Sequence, residues 1–305
     1  LFPYTTLFRS NDNLDFSVEL GGRREDRDNL VQDSYLMASW MQYQWPIYNP
    51  RTPDGKIAST NYGLSAYLDR DLTGYIKNNR YTFESSIAVN YRIPFVQGLS
   101  ARLKGSMDLY FENQKHWLKQ YGLFTYNATT GVSTQTGARE ANNLTLHEWR
   151  SQAARIQASL AYDRRFADVH NVSALILYEE YEYVASNFGA SRINYVIPID
   201  QIFAGPDLNK SNSGGASDNG RQSLVGRVNY DFSGKYLLEY SFRYDGSAKF
   251  PPDRRWGYFS GFSAGWRISE ESFFKDNLSI INNLQLRASD RTSTRLNSSH
   301  VSHAR

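Results

Sequence analysis

Apolar and polar residues alternate along most of the chain. Leu14, Phe16, Val18 and Leu20 are interleaved with Asp15, Ser17 and Glu19. Tyr81, Phe83, Ile87, Val89, Tyr91 and Ile93 alternate with Thr82, Glu84, Ser86, Asn90 and Arg92. Leu99, Ala101, Leu103, Gly105, Met107, Leu109 and Phe111 face away from Ser100, Arg102, Lys104, Ser106, Asp108 and Tyr110. The pattern returns at Ala154–Tyr162, across 169–185 with less distinct faces, at Leu224–Phe232, at Tyr236–Tyr244, and at 257–268 and 280–289. A period of two places one set of side chains on each face of a strand. About nine antiparallel strands are therefore predicted. Several keep the alternation for about 12 to 16 residues, against a usual strand of about 5–6.

The connections predicted between these strands alternate in size. Short ones fall near 94–98, 164–168, 233–234 and, somewhat longer, 269–279. Long ones fall near 21–79, 113–147, 186–220 and 247–256. Long strands, two-faced alternation and connections sorted by parity are the pattern of a transmembrane β-barrel, with short turns on one rim and long loops on the other. One face would meet lipid and the other a wet lumen, where Arg102, Lys104 and Asp108 are tolerated. Inside the first long loop, Leu30, Val31, Leu36, Met37, Trp40 and Met41 predict a short helix within 28–42. Residues 207–220, rich in Gly, Ser and Asn, predict a mobile loop.

Composition sharpens this picture. Aromatic residues make up 15% of the 305, with 22 Tyr, which suits strands and interfaces. No apolar run approaches the roughly 18 residues of a membrane helix, so a helical membrane protein is excluded. The chain has no cysteine, which removes disulfides and thiolate chemistry. Both ends read as foreign. Residues 1–10 carry neither a start residue nor a signal pattern, residues 290–305 lack periodicity, and both resemble translated sequencing-adapter sequence, a natural tail being the alternative, so the expected domain is 11–289. These ends hold four of the 34 basic residues and one of the 31 acidic ones. Without them the net charge of +3 falls to zero, and the case for a nucleic-acid partner goes with it.

Candidate chemistry is sparse. Gly261-Phe262-Ser263-Ala264-Gly265 matches G-x-S-x-G, but a nucleophile elbow needs a sharp strand-to-helix turn, and here the motif lies inside an alternating strand. His116, His147 and His170 have no partner at metal-ligand spacing and read as surface histidines. The aspartates of 207–220 lack the ligand spacing of a calcium loop. Arg23–Asp28 is a mixed charge run, read as a solvated loop or lumen rim. No phosphate-cradling glycine motif is present, and neither a cofactor nor catalysis is expected.

The segment from Leu237 to Ser289 carries a family resemblance. A strand ending in Arg243, Asp245, Gly246, Ser247, Lys249 and Phe250 leads to Arg255, Trp256, Gly257, Phe259, Ser263, Gly265, Trp266, Arg267, Ile268, Ser269 and Glu271. Ile281, Asn282, Leu284, Leu286 and Arg287 follow. This series resembles the SusC/RagA-type TonB-linked outer-membrane transporters of Bacteroidetes, and the resemblance extends over 11–289. It implies part of a barrel of about 22 strands whose lumen is filled by a plug. It also implies coupling through TonB and a SusD-like surface lipoprotein as partner, with import of oligosaccharides or peptides in the bacterial outer membrane. Plug and coupling segment lie outside this sequence, so the resemblance implies an open curved sheet rather than a small closed barrel. A ligand-gated signalling receptor or adhesin on the same barrel is the alternative, and a soluble all-β carbohydrate-binding protein a more distant one. The resemblance assigns no solute-contact residue.

Overall fold

A computed structural model describes residues 4–32, 34–43, 45, 47–60, 64–67, 69–276 and 281–291. Ten strands form one antiparallel sheet: β1 (Tyr4–Asn11), β2 (Leu14–Asn29), β3 (Gly74–Arg92), β4 (Leu99–Leu118), β7 (Asn142–Phe166), β8 (His170–Tyr195), β9 (Ser211–Phe232), β10 (Tyr236–Ser247), β11 (Trp256–Arg267) and β12 (Gln285–Arg291). Each strand pairs with its neighbour in that order, and β1 does not pair with β12, so the sheet is open. The nine strands expected within 11–289 are all present. The tenth, β1, comes from residues set apart on sequence grounds. It pairs from Tyr4↔Leu20 to Asn11↔Leu14. A separate hairpin, β5 (Tyr121–Asn127) and β6 (Val132–Arg139), stands in the connection after β4. The short helices are α1 (Ser34–Gln42), α2 (Leu64–Tyr67), α3 (Arg70–Thr73) and α4 (Ser272–Lys275). The helix expected within 28–42 is thus α1.

Register carries the period-two pattern across the sheet. Leu20, Val18, Phe16 and Leu14 lie opposite Ser85, Ile87, Val89 and Tyr91. Those four in turn lie opposite Met107, Gly105, Leu103 and Ala101. The same row continues through Ala154, Ile156, Ala158 and Leu160 on β7, and through Ile176 and Tyr178 on β8. Gly226 and Val228 on β9 meet Phe242 and Tyr240 on β10, which lie opposite Ser260 and Phe262 on β11. One face is therefore a continuous apolar strip. Its large side chains are uncovered by protein: Leu103, Ile156 and Phe262 are more than half exposed. A charged face lies behind it, with Asp15, Glu19, Glu84, Arg92, Arg102, Lys104, Asp108, Arg155, Glu179, Arg227, Glu239, Arg243 and Asp245. It is not polar throughout, since Leu175, Leu177, Val225 and Leu237 share its parity.

The strip has a definite height. On β4 it runs from Ala101 to Phe111, about 33 Å along the strand at about 3.3 Å per residue. With a tilt of about 40° that is close to the 25 Å apolar band of an outer-membrane barrel. Above it, the same parity turns polar at Arg24, Arg150, Glu180, Glu182 and Gln222, and Gln222 Nε2 donates to Glu180 Oε1 at 3.2 Å. Toward the other rim, Arg164 marks the end of the strip on β7. Aromatic rings cluster at both margins. At one, His170 stacks on Tyr230, Phe232 on Tyr236, and Tyr236 on Trp266. At the other, Tyr244 stacks on Trp256 with centroids 4.9 Å apart. Amphipathic rings suit the headgroup level.

Connections 12–13, 93–98, 167–169, 233–235 and 268–284 lie at one rim, and 30–73, 119–141, 196–210 and 248–255 at the other. The sorting by size holds for the first three hairpin pairs and inverts at the last, where 268–284 on the short-turn rim outruns 248–255. It outruns the expected bounds because β12 starts late and the segment folds into α4. Two of the tight turns share one form. Val169 N–H donates to Phe166 and Lys235 N–H to Phe232, with both central residues of each turn at positive φ, the geometry that matches strand twist.

Two expectations are corrected here. Residues 211–220 are not a mobile loop. They extend β9, pairing from Ser211↔Ser191 to Gly220↔Glu182. The ladder with β8 pairs the backbone groups along one edge of this segment, and tertiary pairing overrides the weak strand preference of Gly and Ser. Of the two readings of Arg23–Asp28 the loop is overturned: the run is the rim end of β2. Its pairs follow strand spacing, with Arg24 Nε 2.8 Å from Asp26 and Arg27 Nη2 3.1 Å from Glu25.

Candidate functional site

The charged face is the surface on which a solute could be held. Its charges alternate in sign and bridge neighbouring strands. Arg92 Nη2 lies 2.8 Å from Asp15 Oδ2. Ser86 Oγ donates to Glu19 Oε2 at 2.9 Å, and Lys104 Nζ sits 3.9 Å from the same oxygen. Arg80 Nη2 meets Glu112 Oε1 at 3.1 Å, and Tyr110 donates to the other Glu112 oxygen. Farther round, Gln157 Nε2 donates to Glu179 Oε2 at 2.6 Å, with Arg155 at 3.8 Å. The Tyr181 ring is flanked by the guanidinium groups of Arg155 at 5.2 Å and Arg221 at 4.7 Å. Glu112 is buried, but the more exposed of these pairs contribute little stability each. They leave donors and acceptors facing water, which is what passage of a polar solute requires.

Near the short-turn rim this face forms a bowl of about 570 Å³ lined by Asp163, Ser173, Asn229, Asp231, Glu239, Ser263, Gln285 and Arg287. Ser263 lies within β11 opposite Glu239 and Ser289. The G-x-S-x-G match is therefore in continuous strand, without the turn a nucleophile needs. Among the described residues, no group of three or more His, Cys, Asp or Glu is placed to hold a metal. The three histidines are partly exposed. His116 and His147 are half-buried, His147 stacks on Trp149, and His170 Nδ1 lies 2.7 Å from the Tyr230 hydroxyl. Neighbouring rings and strands shield part of each.

The signature residues gather at the two ends of the β10–β11 hairpin. At its outer end Arg243 holds Asp245 through two contacts of 3.1 Å. Gly246 lets the Trp256 ring lie against the backbone, since a Cβ there would stand 2.7 Å from it. Gly257 accommodates Phe259, whose ring a Cβ would meet at 3.1 Å. Ser247 N–H donates to Arg255 O, and Arg255 Nε donates to Phe250 O at 3.4 Å. At the short-turn end Glu271 accepts from Lys235 Nζ at 2.8 Å, Tyr236 at 2.8 Å and Trp266 Nε1 at 3.1 Å. Those three hydrogen bonds, Lys235 first, hold its carboxyl down to about 2. Arg267 Nη1 caps Gly234 O at 3.3 Å. Gly265 sits 2.9 Å, by its would-be Cβ, from Gln285 Nε2, and Arg287 Nη2 donates to Gln285. Leu284 O accepts from Ser269 N–H at 3.2 Å, and Asn282 lies in the same connection. The signature thus brings together two clasps rather than one pocket.

A third assembly, beyond the strip on the long-loop side, had no sequence signal. Trp117, Leu144 and Tyr195 form a buried cluster, with Trp117 and Tyr195 edge to face at 5.2 Å. The connection 196–210 folds over it. Asp200 accepts from Lys115 Nζ at 2.8 Å and from the Tyr75 hydroxyl. Burial pushes the Asp200 carboxyl up, but these two hydrogen bonds outweigh it and leave it lowered. The partners lie 125 residues apart in the chain for Tyr75 and Asp200, which is why sequence periodicity does not reveal them.

No family model matches the chain. Among curated proteins, it is 30% identical over 220 residues to TonB-dependent receptor P39 of Formosa agariphila, covering 70% of this chain and 19% of that protein. It is 42% identical over 72 residues to TonB-dependent receptor SusC of Bacteroides thetaiotaomicron, 24% of this chain and 7% of the relative. The chain belongs to the SusC/RagA-type TonB-dependent receptors. Its fold agrees with that family. The structure of the RagAB peptide transporter superimposes with a TM-score of 0.68 at 17% identity, over 93% of this chain and 31% of that one. The RagAB peptide importer in its open-open state gives 0.69 at 16%, over 94% and 31%. The chain spans about a fifth of the P39 receptor and under a third of the solved transporter chains. These relatives are named as receptors and transporters, none as an enzyme.

Proposed function

We propose that this chain forms part of the wall of an outer-membrane pore that imports oligosaccharides or peptides, energised through TonB and working with a SusD-like surface lipoprotein. The observation that carries the reading is the two-faced register. An apolar strip about one bilayer tall, with rings at both margins, stands back to back with a face of interleaved Arg, Lys, Asp and Glu. Lipid takes up the first face and a water-filled lumen the second. Kinship with SusC and the likeness to RagAB support the transporter class. Solute is selected by hydrogen bonds and charge along the lumen wall, without bond chemistry.

Disruption of the gene carrying this segment tests the proposal. Uptake of at least one class of labelled oligosaccharide or peptide is expected to fall more than tenfold and to return on complementation. Unchanged uptake across both classes would overturn it.

A further inference from the structure

The apolar strip is not smooth. Between β7 and β10 it carries a cavity of about 290 Å³. Its floor is Ala174 and Gly226, and its walls are Leu160 and Tyr162 on one side and Tyr240 and Phe242 on the other. Register explains the notch. Tyr162, Ala174, Val228 and Tyr240 form one row across the four strands, and Leu160, Ile176, Gly226 and Phe242 the next. Each row holds one small residue among large ones: Ala174 between Tyr162 and Val228, and Gly226 between Ile176 and Phe242, whose ring leans over it. The Tyr240 and Tyr258 hydroxyls lie 2.7 Å apart, and one donates to the other, which lowers the cost of setting them against hydrocarbon. The groove lies in the surface that the membrane reading gives to lipid, and this inference rests on that reading.

Rimward of the groove, two residues past its lining residue Tyr162, lies a cation. Arg164 follows Tyr162 on the same face, one step nearer the turn 167–169, and lies opposite Val172. Its guanidinium rests 4.8 Å over the Phe166 ring. Among the described residues it makes no ion pair. It sits at the level where the strip ends and the stacked rings of His170, Tyr230 and Phe232 begin. An apolar slot with an unpaired guanidinium just beyond its rimward lining, at headgroup level, matches one kind of molecule: an acyl chain with a phosphate above it.

We propose that this groove is a specific site for one phospholipid of the leaflet on the short-turn side, with an acyl chain between Tyr162 and Tyr240 and its phosphate on Arg164. An acyl chain from the opposite leaflet would enter from the end where no such cation marks the mouth.

The test uses the full-length receptor, purified in mild detergent, supplied with dioleoyl phosphatidylglycerol and examined by native mass spectrometry. Wild type is expected to retain one phospholipid more than Ala174→Phe, which fills the floor. Arg164→Gln is expected to weaken retention about tenfold, the scale of a charge-assisted hydrogen bond. Ala154→Phe, elsewhere on the strip, is expected to change nothing. Equal retention in wild type and folded Ala174→Phe would overturn the proposal, as would retention of lipopolysaccharide in place of phospholipid. Should Ala174→Phe not fold, Arg164→Gln decides alone: undiminished retention there overturns it. A receptor that inserts into vesicles yet retains no lipid refutes the groove only, whereas one that does not insert refutes the membrane reading itself.

Discussion

A single charge placed on adjacent residues separates the two faces. Ile87 lies between Tyr81 and Tyr91 on β3, one residue from the midpoint, so it stands near the centre of the apolar strip. It is 48% exposed and is flanked by Val18 and Gly105. The Ile87 side chain is the nearest neighbour of the Cβ position of Gly105, at 3.8 Å, so a longer side chain has room. Its row continues to Ile156 before reaching the carboxylate of Glu180, three strands away. Ile87→Arg therefore gains no partner. Arginine on the lipid face at mid-bilayer costs roughly 2–4 kcal/mol, or about 30- to 1,000-fold in the folding equilibrium. Ser86 points to the other face, with its hydroxyl on Glu19. Ser86→Arg places the same guanidinium beside that carboxylate in water, and a change within about 0.5 kcal/mol is expected. The assay is urea unfolding of the full-length receptor in vesicles, followed by gel mobility of the folded barrel. Equal costs for the two variants, or a larger cost for Ser86→Arg, would refute the assignment of the faces.

This chain has no cysteine; in a receptor with any cysteine elsewhere replaced, Leu103→Cys should react with a lipid-soluble maleimide and resist a water-soluble one, and Lys104→Cys the reverse. The Glu271 clasp predicts an acid transition. A carboxyl lowered to about 2 when folded contributes stability that is complete above its ordinary value near 4.5 and is lost as pH falls toward 2. Trp266 fluorescence should follow that loss, and Glu271→Gln should remove the transition. Gly226→Ala would set a Cβ 2.1 Å from the Phe242 ring, an overpacking worth about 1–3 kcal/mol; Phe242→Leu in the same chain should recover most of it, and no recovery would show the strain lies elsewhere.

The signature residues separate what is recognisable from what is functional. Gly246, Trp256, Gly257, Gly265, Trp266 and Arg267 are legible as a motif because close packing and tight turns restrict those positions to few residue types. The geometry gives them clasps at the ends of one hairpin. The lumen face, where solute contact is proposed, tolerates any mixture of polar residues that water can solvate, so it leaves no fixed string to read. Histidines illustrate the same limit. His116, His147 and His170 lack sequence partners, yet each is packed against a ring or a strand that arrives from elsewhere in the chain.

Alternation is a local property. Each strand writes its own two faces, and Leu14 to Leu20 or Leu99 to Phe111 need no neighbour to declare which side is apolar. That is why the strands, their long span and the opposition of lipid and water sides follow from the sequence alone. Register and loop course are not local. The pairing of 211–220 with β8, the Asp200 contact with Tyr75 and Lys115, and the notch between Tyr162 and Tyr240 depend on which residues are set opposite one another. A shift of one residue would exchange the faces, and hydrogen bonds between distant strands fix that choice only when the sheet is assembled.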